Sequence, residues 1–150
     1  LAIHQRLGKL RGTAVSLNNL GRAWAVLGEA ERALSCYRGA LVLWHQLGSR
    51  GDAGVTRSNL GHLYATLGDF RRARDELEQA LVLFETAGRR RDLAVALGRL
   101  GVVEGLSGQA AAGLAPLRRA LALQRELGDR REEAVSLGNL GWLQRRLGDL

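Results

Sequence analysis

The sequence predicts an all-α fold, a solenoid of antiparallel helix pairs, on three observations. Asn19-Leu20-Gly21 returns every 40 residues as Asn59-Leu60-Gly61, Arg99-Leu100-Gly101 and Asn139-Leu140-Gly141. A second mark keeps the same step: Leu27-Gly28-Glu29, Leu67-Gly68-Asp69, Ser107-Gly108-Gln109 and Leu147-Gly148-Asp149. A third closes each unit at Leu47-Gly48, Ala87-Gly88 and Leu127-Gly128. A fixed period of this size marks an array in which each unit buries its apolar face only against its neighbours.

Taken in order, the chain opens on the tail of a second-type helix at 1–7. Ala14, Leu17, Leu20, Gly21, Trp24 and Leu27 then follow helical spacing and predict a first helix, A, over 12–27. Gly28 suits the left-handed residue that ends such a helix, and Glu29 begins the next; Asp69 and Asp149 are better N-caps at that place. Ala33, Tyr37, Ala40, Leu41, Trp44 and Leu47 predict a second helix, B, over 30–47. The pair repeats at 52–67 with 70–87, carrying Ala73, Leu77, Ala80, Leu81, Phe84 and Ala87. It repeats again at 92–107 with 110–127, carrying Gly113, Leu117, Ala120, Leu121, Gln124 and Leu127, and a lone A helix follows at 131–147. Pro116 removes one backbone bond inside the third B helix, so a kink or a late start is expected there, with Gly113 weakening the same turn.

The organisation is therefore one array: 1–10 the end of a truncated repeat, 11–50, 51–90 and 91–130 three repeats, and 131–150 the first helix of a fourth. With no Met even at position 1, the chain reads as a fragment of a longer array.

Composition narrows the function classes. With 46% apolar residues the chain is not disordered. The net charge is +7, and every basic residue except Lys9 is Arg. A surface of that sign can attract nucleic acid or acidic proteins. The single Cys36 forms no internal disulfide, which suits a reducing, cytoplasmic compartment. No apolar run approaches the roughly 20 residues of a membrane-spanning helix.

The pattern of small and large residues at Ala14, Leu17, Leu20-Gly21, Trp24, Leu27-Gly28, Ala33, Tyr37 and Ala40-Leu41 resembles the tetratricopeptide repeat. The resemblance recurs in every unit and implies a right-handed superhelix. His45, Glu85 and Arg125 replace the Pro that usually closes the repeat, and the period is longer than the usual one. That long variety resembles the repeats of kinesin light chain and of actinobacterial multidomain signalling regulators. The resemblance implies a non-catalytic scaffold that binds a protein or peptide segment in a concave groove of A helices, within a larger bacterial regulator. A structural spacer packed on its own neighbouring domains is the alternative.

By the same resemblance the groove is lined by Val15, Asn18, Asn19 and Arg22, then Val55, Ser58, Asn59 and His62. Val95, Gly98, Arg99 and Val102 follow, and then Val135, Gly138, Asn139 and Trp142. The ladder Asn19, Asn59, Asn139 is the leading feature. An amide offers donors and an acceptor and can pair with any peptide backbone, or it can bond a neighbouring helix end. Arg99 interrupts the ladder; it can grip a carboxylate or stand in solvent. Asn59 and Arg99 match two places of the family's chaperone-binding clamp, but Asn18, Arg22 and Val95 depart from it, so no such clamp is implied. Trp24 and Trp44 fall on packing faces, whereas Trp142 falls on the inner face.

The residues imply no catalysis, cofactor or metal. His4, His45 and His62 lack ligand spacing, and Cys36 reads as a small core residue. The glycines follow the repeat and form no phosphate loop. The runs Arg71-Arg72, Arg89-Arg90-Arg91, Arg118-Arg119 and Arg130-Arg131 lack interleaved aromatics, so a solvated outer face is preferred to a nucleic-acid surface. At the ends, Leu137, Leu140, Leu143 and Leu147 are expected to be uncovered, as are Leu1, Ile3 and Leu7. These faces are halves of one repeat interface, and a weak head-to-tail self-association is expected from them.

Overall fold

The structure, a computed structural model, describes residues 1–148. The described residues form α-helices and turns only: α1 (Ala2–Val26), α2 (Ala30–Gln46), α3 (Arg50–Thr66), α4 (Phe70–Ala87), α5 (Arg90–Leu106), α6 (Ala110–Leu127) and α7 (Arg130–Gly148). Asp149, expected as an N-cap, lies outside them.

The turns are built alike. Gly28, Gly48, Gly68, Gly88, Gly108 and Gly128 all take φ between +62° and +87°. At the first turn Glu29 N–H donates to Trp24 C=O at 2.9 Å and Gly28 N–H to Ala25 C=O at 3.1 Å, a Schellman motif. The same two bonds recur at the other five glycines. A residue without Cβ at this one place lets each helix stop in a single step and reverse.

Each reversal folds a B helix onto its own A helix, giving the pairs α1/α2, α3/α4 and α5/α6. The B helices α2 and α4 then pack on the following A helix, and α6 on α7. The A helices also touch one another, α1 to α3, α3 to α5 and α5 to α7, whereas the B-helix backbones stand apart and α4 and α6 are joined through the side chains of Glu85 and Arg119. One layer is crowded and the other splayed, so the A helices line the inner side. Within each pair the axes approach at Gly21, Gly61 and Gly101. A Cβ there would come within 2.8 Å of Tyr37, 2.7 Å of Leu77 and 2.5 Å of Leu117.

Four departures from the expected elements have local causes. The break expected between residues 7 and 12 is absent, and α1 runs unbroken through Gly8. At the start of α3 Ser49 Oγ donates to Asp52 at 2.7 Å, whereas Lys9 and Gly12 stand at those places in α1 and residues 1–9 are exposed, so no packed partner favours a reversal there. The later A helices begin about two residues sooner than expected, at Arg50 and Arg90. Pro116 does not delay α6, which starts at Ala110 in step with Ala30 and Phe70. The adjustment sits in its first turn, where Ala112 N–H reaches Gln109 C=O at 3.0 Å; Ala33 and Ala73 instead bond four residues back. Finally, Leu140 and Leu143 are not uncovered: both are buried with Leu117 and Leu121 of α6. Leu137 is exposed, Leu147 is half-buried, and Leu1, Ile3 and Leu7 are exposed.

Candidate functional site

Along the inner layer, polar side chains join each A helix to the next with an offset of 41 residues. Asn59 Nδ2 donates to Asn18 Oδ1 at 3.3 Å. Arg99 Nη1 donates to Ser58 Oγ at 2.8 Å, and lies 3.5 Å from Asn59 Oδ1. Behind the first rung, Trp44 Nε1 donates to Thr56 Oγ1 and that hydroxyl to Asn18 Oδ1, both at 3.1 Å. The next pair in register would be residue 98 with Asn139. Residue 98 is Gly and has no side chain to offer, so the third rung is missing.

The inner layer opens at that gap. A groove of about 450 Å³ runs across α3, α5 and α7, and its lining includes His62, Val95, Gly98, Arg99, Val102 and Asn139. Its walls are continued by Ala65, Ala94, Leu106 and Val135, and Gln124 and Ser136 lie at its base. A Cβ built on Gly98 would meet nothing nearer than Ser136 Oγ at 4.0 Å, so this glycine is not required by packing.

The groove lining carries one charge of each sign, Arg99 and Glu132. Arg99 is half-buried, and no carboxylate pairs with it among the described residues. Burial pulls its pKa below the ordinary value; the charge of Arg22 acts in the same direction, and Tyr37 and Glu132 oppose it. Burial, then Arg99, also holds His62 below the ordinary imidazole value, which keeps that ring neutral near pH 7. Tyr37, 2% exposed, is pushed upward by burial and stays a neutral phenol.

Of the residues expected on the inner face, His62, Val95, Arg99, Val102 and Asn139 converge on this groove. Asn18 and Asn59 meet each other, so the Asn59 amide is engaged as an interhelical staple. Asn19 and Arg22 are exposed on α1, Val15 is exposed, and Val55 packs on the core. Trp142 does not line the groove: its ring packs where a Cβ on Gly105 would lie, with Arg146 stacked at 5.3 Å. Gly138 has open space around it. Cys36 is half-buried on α2, and Trp24 is half-buried beneath Arg32.

Two contributors, Gln124 and Ser136, come from packing positions rather than from the inner-face register. The signal for Gln124 is present in the repeat, since a polar residue stands where the other units have Trp44 and Phe84.

On the outer side and in the turns many arginines meet acids of a neighbouring helix. Arg119 pairs with Glu85, Arg90 with Glu126, and Arg91 with Asp129 at 3.7 Å. Much of the positive charge is thereby matched locally. No helix of the described residues is long and apolar enough to cross a membrane.

The family model described as tetratricopeptide repeat matches residues 12–86 and 92–150. The chain belongs to the tetratricopeptide repeat family. No protein of curated function matches the sequence itself. Among solved structures, this tetratricopeptide array is similar to BtubC (BKLC) from P. vanneervenii, with a TM-score of 0.80 and 21% identity. The match covers 91% of this chain and 57% of that one, so the array spans little more than half of its relative. A putative kinesin light chain of Podosopora anserina with nearly identical TPR-like repeats matches at TM-score 0.71 and 16% identity, over 91% of this chain and 67% of that one. The first TPR of Spaghetti (RPAP3), solved bound to the HSP90 peptide SRMEEVD, matches at 0.68 and 19%, over 91% and 94%. At these identities the likeness establishes the fold.

Proposed function

We propose that this tetratricopeptide array is a non-catalytic interaction module that holds an extended peptide segment in its inner groove. In this reading 11–50, 51–90 and 91–130 are its repeats, and it serves a larger cytoplasmic regulator of bacterial type. The observation that carries the reading is the missing third rung. Where Gly98 interrupts the polar ties, the A-helix layer opens into a groove with apolar walls and unpaired hydrogen-bonding groups at its rim. Asn139 has no hydrogen bond to another described side chain and can serve a peptide backbone. Arg99 favours a segment with acidic or carbonyl groups. That a TPR of the same fold has been solved with a peptide supports the mode of binding, not the identity of the ligand.

A phage-displayed library of random peptides tests the reading. Binders selected on the wild-type protein should lose affinity at least about tenfold with Gly98→Leu, which fills the groove from an uncrowded position. The same binders should be indifferent to Val82→Glu on the outer face. Binders that respond to Val82→Glu and ignore Gly98→Leu would refute the assignment.

A further inference from the structure

We infer that the base of this groove is a pocket for an aromatic side chain that carries a hydrogen-bond donor, an indole or a phenol, supplied by the bound segment. The inference rests on the reading of the groove as the peptide-binding face.

It begins with one packing position. Forty residues apart, it holds Trp44, Phe84 and Gln124 on α2, α4 and α6. Trp44 is buried in a cluster with Ala14, Leu17 and Ala53, so its ring fills the space between α1 and α3. Phe84 is buried likewise, its ring 2.7 Å from where a Cβ on Gly54 would lie, with Leu93 and Ala96 in the same cluster. Each ring wedges between its own A helix and the next. The residue on the next A helix changes in step: Thr56 faces Trp44 and takes its indole N–H at 3.1 Å, Ala96 accompanies Phe84, and Ser136 accompanies Gln124. A donor-bearing ring goes with a hydroxyl, and a plain ring with a methyl group.

The third unit has the hydroxyl and lacks the ring. Gln124 is a whole ring smaller than Trp, and the groove of about 450 Å³ lies beside it, reaching Leu77, Ala94 and Ser136. Gln124 is 2% exposed, yet its Oε1 has no hydrogen-bond partner among the described residues. A buried carbonyl oxygen left so is unfavourable. It therefore calls for a donor from outside. The walls Ala94, Val95, Val103 and Val135 favour an apolar body on that donor. Arg99 and Glu132 both line the groove, so neither sign of charge is left unopposed and a neutral body is favoured. An aromatic ring with one N–H or O–H meets all three conditions and copies what Trp44 does with Thr56.

Titration of the ¹⁵N-labelled chain with indole, phenol and toluene tests this. Indole and phenol should give saturable shifts at Gly98, Ser136 and the Gln124 amide, and should bind about five- to tenfold tighter than toluene. Gln124→Phe should abolish binding by restoring the ring of the second unit. Gln124→Leu should keep toluene binding and erase the preference for indole. Should Gln124→Phe not fold, Gly98→Leu replaces it as the blocking variant. Absence of saturable shifts with indole, as for a pocket that holds only water, would overturn the inference, as would indole binding that survives Gln124→Phe. The two readings fail separately. Peptides that need an open Gly98 but no aromatic residue would sink this inference and leave the groove standing. Indole binding without any groove-dependent peptide would sink the groove reading and, with it, a peptide as the source of the ring.

Discussion

Arg74 and Glu104 form a two-pronged ion pair, Nε to Oε1 at 2.6 Å and Nη2 to Oε2 at 2.7 Å, across the contact between α4 and α5. Forty residues earlier the same two places hold Leu34 and Tyr64, which pack in an apolar cluster between α2 and α3. One interface of the repeat is thus closed by hydrogen-bonded charge and its sibling by apolar contact. Glu104 is 7% exposed, and its hydrogen bond raises the Arg74 pKa. Such a pair is costly to break from one side and cheap to replace as a whole.

Glu104→Gln should therefore destabilise the array by about 2 kcal/mol, because the half-buried Arg74 guanidinium loses the countercharge it grips with two hydrogen bonds. Arg74→Leu combined with Glu104→Tyr, which copies the earlier interface, should recover wild-type stability or exceed it. Urea midpoints of the three proteins decide it. A double variant weaker than Glu104→Gln alone would count against the account.

Two glycines of the third unit should respond to alanine with opposite signs. A Cβ on Gly113 would stand 2.5 Å from Gly101 C=O and 2.9 Å from Leu143, both inside the core. Gly113→Ala should cost about 1–3 kcal/mol through overpacking. Gly98 has open space, so Gly98→Ala should add about 0.5–1 kcal/mol from helix propensity. Thermal melts compare the two directly.

Gly98→Asn should write the third rung. An amide at 98 stands to Asn139 as Asn18 stands to Asn59, 3.3 Å from donor to acceptor. The expected result is a protein at least as stable as wild type that no longer binds groove-dependent peptides. Retention of full peptide affinity would show that the gap at Gly98 is not the entrance.

Acid should weaken the inner layer through Asp52. Burial alone would raise this carboxyl, but hydrogen bonds from Ser49 and Arg89 and the charges of Arg11 and Arg89 hold it below its ordinary 3.8. A depressed folded pKa contributes stability above the unfolded value, and that contribution is lost as pH falls through the folded one. Asp52→Asn should thus cost about 1 kcal/mol at pH 7. The gap from wild type should shrink below about pH 4. Urea titrations at pH 7 and pH 3 measure the difference. A gap that widens in acid would reverse the sign argued here.

The all-α repeat is legible in the residues themselves. Helical spacing and a turn glycine are local signals, so Gly28, Gly68 and Gly108 end their helices where the period places them. Of the inner-face residues that the resemblance implies, His62, Val95, Arg99, Val102 and Asn139 line one groove, whereas Val55 packs on the core. The break expected near Gly8 does not form, because residues 1–9 are exposed and a glycine ends a helix only where a packed partner makes the reversal favourable. The fate of each polar residue depends on tertiary structure, because a hydrogen bond joins groups from different helices. Asn59 is held by Asn18 and Arg99 by Ser58, whereas Asn139 stands opposite Gly98 and stays free. Packing likewise draws Trp142 onto Gly105 and brings Gln124 from a B helix to the base of the groove, since cavities arise from the sum of neighbouring volumes and no single stretch of sequence contains that sum.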